Sequence, residues 1–502
     1  MILSFFLNTF VLLCIYLISS VVWIIYLIPK IWSFVFKNPE LRELEKKLTE
    51  TQDYNEWLEI AYQVDKLTGR LSWRNINKSS YYDHAYIKSM HKHLLELIDK
   101  GDNEELASFM RSILSRNFSG IMNDQLYTYA FSGTKTLIDD YLETVVRALD
   151  QLFYAEFPHK KAFFREIHHF YGRTCLLLSG GASIGLFHLG LISNLLEQNL
   201  LPKIMSGASA GSLICALIGT HTKEELNELM KNDFTTLNFT AFESKNAQRS
   251  MLRKLVRLIK RGHLIDKTPL MQFVIDNTHN LTFREAYERT GIVINISVTD
   301  SGHNKFRLLN YITAPNVYVW SAAMASCSLP FVYPATKLIA KTSNKKQVEW
   351  LPDKKRFIDG SIGADIPKKS LSVLFNATNF IVSQVNVHIV PFISKGAYRR
   401  LSRRKIFYKI WSLTSGLILS EVRHRIEQAR DIGLIPNKLA LVLNLLMQDY
   451  TGNVNITPEF GIGDIYTLLD NPSKYLVEMW CKRGRNMTFM RKLNRHEANT
   501  QL

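Results

Sequence analysis

Gly207-Ala208-Ser209-Ala210-Gly211 sets one serine among four small residues, with the run KIMSG leading in and the helix-forming SLICALIGT leading out. This is the G-x-S-x-G spacing of a nucleophile on a sharp strand-to-helix turn, where larger neighbours would collide. A helix that starts just past the serine aims N–H groups and its positive dipole end at it. That polarity suits a developing oxyanion, so the chemistry indicated is attack by Ser209 on an acyl carbon. Gly207 and Gly211 are the structural glycines of this turn.

A second glycine-rich stretch, Gly180-Gly181-Ala182-Ser183-Ile184-Gly185, also lies between an apolar run, TCLLLS, and a helical run, LFHLGLISNLLEQN. A dinucleotide fingerprint would need glycine where Ala182 stands and an acid about 20 residues on, and Lys203 occupies that region. An oxyanion hole fits better, with the backbone N–H groups of Gly180, Gly181 and Ala182 as donors and Gly185 as a packing glycine. Tight helix–strand packing is the alternative without a catalytic role. The third stretch is Asp359-Gly360-Ser361, after the apolar pair Phe357-Ile358. Ser209 needs a base. His188, His303 and His388 are candidates by position, and Asp359 would serve directly if it lay against the serine. Asp-Gly is equally a turn dipeptide, Gly360 then being its flexible member, and spacing alone leaves the choice open.

These stretches need rigid elements to bring them together. TCLLLS, KIMSG, IVINISVTD and NFIVSQVNV are short apolar runs rich in branched residues, as buried strands are, and helical runs alternate with them. The pattern predicts an α/β layer architecture with a mainly parallel sheet. Residues 40–168 carry apolar positions at helical spacing and almost no strand pattern, and beyond about 390 the chain is helical and basic.

Composition narrows the class. With 46% hydrophobic and 21% charged residues among 502, a disordered or disulfide-stapled protein is excluded, and a mean hydropathy of −0.05 excludes a multi-span membrane protein. The net charge of +17 favours an anionic partner, either nucleic acid or an anionic membrane face. Five scattered cysteines without ligand spacing point to reduced thiols and no zinc site. Met1–Pro29 contains no charged side chain, while Lys30 and Lys37 follow it. That run predicts a membrane anchor with the rest of the chain on the cytosolic side.

Together the motifs resemble the patatin-like phospholipases. The stretches GRTCLLLSGGASIGLFHLG, LLNYITAPNVYVWSAAMASCSLP and FIDGSIGADIPKKSLSVLFNATNFIVSQVNVHIVPF are similar to the fungal and plant triacylglycerol lipase branch of that family. So are YTYAFSGTKTLIDDYLETVVRAL and LILSEVRHRIEQARDIGLIP. The resemblance implies a three-layer α/β/α fold, divided as an anchor (1–36), a helical domain (40–168), a catalytic domain (174–376) and a helical, basic extension (377–502). It implies a Ser209–Asp359 dyad without histidine, an oxyanion hole around Gly180–Ala182, hydrolysis of acyl esters of triacylglycerol, and no cofactor or metal. It also implies a lipid substrate, and with the uncharged N-terminal run the expected residence is a membrane or lipid droplet, in the endoplasmic reticulum or on droplets, while the lack of a recognised binding motif speaks against a nucleic-acid partner. Phospholipid as substrate, an acyl acceptor other than water, and a silent scaffold keep the same site. Two departures stand out, since many relatives have a third glycine where this chain has Ala182 and a basic residue where it has Ile184. An H-x4-D acyltransferase motif is absent, because none of the 14 histidines has Asp five residues on.

Two segments could meet a lipid face. SMLRKLVRLIKRGH places Leu252, Leu255, Val256 and Ile259 on one helical stripe among basic residues, which also suits a surface helix packed on the core. Residues 395–409 hold seven Lys or Arg and no acid, with Tyr398, Phe407 and Tyr408 interleaved.

Overall fold

The computed structural model describes residues 38–237 except 233, 263–393 except 304, 331, 352–354 and 388, and 448–491 except some positions from 460 to 470. It also describes Lys260 and scattered positions from 420 to 433. The apolar run 1–29 and most of both basic segments lie outside these residues. Among the described residues no helix is long and apolar enough to cross a membrane.

The expected helical region is present as helices Pro39–Glu50, Tyr54–Leu67, His84–Lys100, Asn103–Ile113, Thr136–Tyr154 and Lys160–Tyr171, with shorter turns between. Asp53, Asp83 and Asp102 start three of them by accepting otherwise unpaired backbone N–H groups. Leu94, Met110, Ile138, Tyr141, Phe163 and Ile167 face inward at helical spacing and close one core.

The chain then builds a sheet from β1 (Arg173–Leu178), β2 (Ile204–Gly207), β3 (Val293–Asp300) and β4 (Phe306–Leu309). After a separate hairpin of β5 (Ile339–Lys341) and β6 (Gln347–Glu349), it adds β7 (Phe357–Asp359), β8 (Ala377–Ser383) and β9 (Val454–Ile456). The order is β4-β3-β2-β1-β8-β9, with β7 also paired to β3. The pairs β1–β2, β1–β8, β2–β3 and β8–β9 are parallel, and β4 and β7 run antiparallel to β3. Alternate residues of β1 separate into two cores, as the period of two requires. Leu176 and Leu178 pack with helices Phe187–Glu197, Ala210–Thr220, Val319–Ser326 and Lys474–Arg491. Cys175 and Leu177 pack with Leu371 and Phe375 of helix Lys368–Phe375 on the other face. The layers are therefore α/β/α, as expected, with a mixed sheet.

One boundary differs. The α/β unit was expected to end at 376, yet β8 begins at Ala377 beside β1, and β9 joins from the far side of a long connection. The sheet needs β8 because β1 would otherwise be an edge strand with buried, unpaired backbone groups. The last helix, Lys474–Arg491, also belongs to this unit. It crosses helix Phe187–Glu197 at Gly190 and Gly484, where an added Cβ would stand 1.8 Å from the Cys481 carbonyl oxygen and 2.2 Å from that of Phe187. Its far end reaches the helical region, where Phe489 packs beside Trp57 and the Asn486 amide donates to the Thr49 carbonyl.

Gly484→Ala must push these two backbones apart. It is expected to lower stability by about 1–3 kcal/mol, whereas Tyr475→Ala on the exposed face of the same helix should leave it unchanged. Thermal unfolding of both variants checks this.

Candidate functional site

Every strand of the parallel block points its C-terminal end at the same edge. Leu178 of β1 lies opposite Gly207 of β2 and Ser383 of β8, and Gly207 lies opposite Ile296 of β3. Two residues further along β3, Val298 lies opposite Asp359 of β7. β3 thus acts as a common ruler, holding the turn after β2 and the end of β7 in one neighbourhood.

The turn after β2 is forced. Ser209 has φ 50° and ψ −126°, a strained region for a residue with a side chain, and helix Ala210–Thr220 follows at once. A Cβ on Gly207 would stand 2.3 Å from the Gly211 oxygen, and one on Gly211 would stand 2.1 Å from the Leu178 oxygen. Only glycine fits at either position. The Ser209 amide donates to the Ser326 hydroxyl oxygen at 3.0 Å, and the Ser209 carbonyl accepts from the Ser212 hydroxyl at 2.6 Å. Ser326 is buried at the end of helix Val319–Ser326 and was not singled out in the sequence, because the contact spans 117 residues. Ser209 itself is half-buried, so its hydroxyl can meet a ligand.

Asp359 is only 1% exposed. Its Oδ1 accepts from the Ser361 amide at 2.8 Å and the Ser361 hydroxyl at 2.7 Å. Burial pushes its pKa up to about 6, against the lowering effect of the Ser361 bonds and of the Ser209 hydroxyl. Oδ2 has no hydrogen-bond partner among the described residues. Gly360 lies so close to β3 that a Cβ would stand 1.9 Å from the Ser297 oxygen.

The glycine-rich stretch follows β1 and abuts the serine. A Cβ on Gly180 would stand 3.0 Å from that of Ser209, and one on Gly185 would stand 2.7 Å from that of Ala210. Gly181 packs on Val385, and Ala182 opens a 3-10 turn, Ala182–Leu186, with a left-handed φ of 51°. A glycine there would be unstrained. The expected set of three oxyanion donors needs one correction. The Gly180 amide donates to Asp365 Oδ1 at 3.1 Å, so its single hydrogen is already used. Gly181 and Ala182 amides have no acceptor among the described residues.

Asp365 is the other residue that sequence reasoning missed. It is buried, bonded to the loop, and pushed up to about 7 by burial. The two described candidate histidines stand apart from this chemistry. His188 is fully buried between the Ser383 hydroxyl (2.7 Å) and the Ser179 carbonyl (3.0 Å), and burial lowers its pKa to about 4. His303 is exposed on the turn after β3, and His388 lies outside the described residues. Cys175, Cys215, Cys327 and Cys481 are buried free thiols. Among the described residues no cluster of three or more His, Cys, Asp or Glu could hold a metal ion.

Residues 34–169 match a family model described as a domain of unknown function (DUF3336), and residues 176–371 match the model of patatin-like phospholipase. The chain is 32% identical over 449 residues to "Triacylglycerol lipase 5" of Saccharomyces cerevisiae, covering 84% of this chain and 59% of that protein. It is 33% identical over 454 residues to "Triacylglycerol lipase 4" of the same yeast, covering 87% and 49%. With "Triacylglycerol lipase ptl3" of Schizosaccharomyces pombe it shares 32% over 461 residues, covering 89% and 93%. The chain thus spans about half the length of the first two relatives and nearly all of the third.

A buried carboxylate with a raised pKa holds a proton in the folded state that the unfolded chain has already released. Its stabilising effect is complete below pH 3.8 and is lost as pH rises through about 6. Asp359→Asn keeps an acceptor for Ser361 without a charge to desolvate. At pH 8 it is expected to be more stable than the wild type by about 3 kcal/mol, with the difference shrinking towards pH 4. Thermal midpoints of both proteins across that range measure it.

Proposed function

The chain belongs to the patatin-like phospholipase family, and on that premise we propose that it is a serine hydrolase of acyl esters whose substrate is triacylglycerol. The observation that carries the reading is a buried carboxylate, Asp359, with one oxygen unpartnered among the described residues and its ionisation favoured by the Ser209 hydroxyl, beside two unspent amides. The names of the relatives support triacylglycerol as the ester.

The reaction follows from the groups. Asp359 takes the Ser209 proton as Oγ bonds the acyl carbon, and the carbonyl oxygen becomes an oxyanion received by the Gly181 and Ala182 amides. Collapse expels the alcohol, diacylglycerol, which leaves with the proton from Asp359. Water then gives a proton to Asp359 and its oxygen to the acyl carbon, and Ser209 leaves with the proton restored, releasing fatty acid. Asp359 acts only when ionised. A pKa near 6 keeps it so at neutral pH, while leaving it more basic than an exposed carboxylate.

The chain is further proposed to work at a membrane or droplet surface, with its catalytic unit on the cytosolic side. The uncharged run Met1–Pro29, followed by Lys30 and Lys37, supports this. In cell fractions, the full chain should stay with membranes or droplets through alkaline carbonate washing, and a variant lacking residues 1–36 should wash off.

Ser209→Ala and Asp359→Asn should each abolish fatty-acid release from triacylglycerol emulsions while remaining folded. Wild-type kcat should fall about tenfold per pH unit below 6 as Asp359 takes up its proton. Full activity in folded Asp359→Asn would remove the dyad.

A further inference from the structure

Asp365 is a second buried carboxylate, six residues past Asp359 and 1% exposed. A fold that only needed to fill this space would do so more cheaply with a neutral side chain, because Asp359 nearby disfavours a second negative charge. What surrounds Asp365 explains its chemistry. Oδ1 accepts the Gly180 amide at 3.1 Å, and Oδ2 accepts the Asn386 side-chain amide at 2.9 Å. The Gln384 side chain also favours its ionised form. Its own amide donates to Gln448 Oε1 at 2.8 Å, and Gln448 Nε2 donates to the Ser361 carbonyl at 2.6 Å. The side chain is thus a two-oxygen acceptor between donors from two separate segments, one following β1 and one following β8, while its backbone amide is tied to Gln448 ahead of β9.

The segment held most directly is the one that touches Ser209. Gly180 has no other amide acceptor, and its Cα faces the serine. The next residues are Gly181, and Ala182 with its left-handed φ, whose amides are unspent. We propose that Asp365 is a positioning residue for the reaction: by accepting the Gly180 amide on one oxygen and the Asn386 amide on the other, it fixes the 180–182 turn so that two amides, and not three, meet the oxyanion. The inference rests on the serine-hydrolase reading above. It differs from a purely structural role because it acts on the transition state and leaves ground-state binding alone.

The test uses the full chain, a soluble short-chain ester and two inhibitors. One is an alkyl trifluoromethyl ketone, which Ser209 converts to a tetrahedral oxyanion, and the other is the matching alkyl ether, which it cannot attack. Asp365→Ala should lower kcat about 100-fold with KM within about twofold. It should weaken the ketone by the same factor and leave the ether unchanged. Asp365→Asn retains an acceptor for Gly180 and should recover kcat to within about tenfold of wild type. Should Asp365→Ala fail to fold, Asn386→Ala, which frees only the second oxygen, carries the same expectation at reduced size. Wild-type kcat in a folded Asp365→Ala, equal loss of ketone and ether, or an Asp365→Asn as impaired as Asp365→Ala would each overturn the proposal, as would an unchanged kcat in Asn386→Ala. If the wild type shows no Ser209-dependent hydrolysis, the hydrolase reading fails and takes this one with it. If it hydrolyses and Asp365→Ala equals it, only the positioning role fails.

Discussion

Asp359 sits almost without water, and among the described residues no cation contributes to its ionisation. A carboxylate in such a place is costly, and the protein offsets the cost on one oxygen only. Ser361 supplies two bonds to Oδ1 from the residue two positions on, which makes them a local and rigid feature of the turn. The other oxygen has no hydrogen-bond partner among the described residues. Full satisfaction of both oxygens would lower the pKa further. Partial satisfaction holds it near 6, high for an aspartate and still ionised at neutral pH.

The strain at Ser209 and the unsatisfied oxygen of Asp359 persist because the surrounding structure over-determines them. Ser209 cannot relax without moving Gly207, Gly211 or the Ser326 acceptor, and both glycines lie against backbone. The β3–β7 ladder and an amide bond to the Ser328 carbonyl hold the Asp359 backbone, and its side chain cannot turn away without losing the two Ser361 bonds to Oδ1. Ser326 and Ser328 both belong to the end of one buried helix and the turn after it, so a single segment steadies both halves of the site.

That rigidity extends outward through close backbone contact. Helix Lys474–Arg491 lies directly on helix Phe187–Glu197, which follows the glycine-rich turn, and the Ser183 amide donates to the Leu468 carbonyl ahead of that last helix. At its other end the same helix joins the N-terminal helices through Phe489 and Asn486. The helical region and the α/β unit are therefore joined by more than the covalent link, and the turn that carries the free amides is braced from the end of the chain.

The sequence by itself determined the elbow, the glycine-rich turn and the succession of strands and helices, because each depends on residues adjacent in the chain. Small flanks at Ser209 and period-two apolar runs are local requirements, and they were readable as such. Asp359 was different. Asp-Gly reads equally as a turn, and only the family resemblance singled it out before β3 was seen to set it opposite Val298, two residues along from the partner of Gly207. Tertiary structure alone decided three further matters. Ser326 takes the Ser209 amide across 117 residues, Asp365 takes the Gly180 amide across 185, and the three-residue β9 completes the sheet beside β8. A hydrogen bond between segments so distant leaves no mark in spacing or periodicity, and a strand of three residues is too short to show a pattern. Which amides remain free for a substrate is for that reason a property of the folded chain.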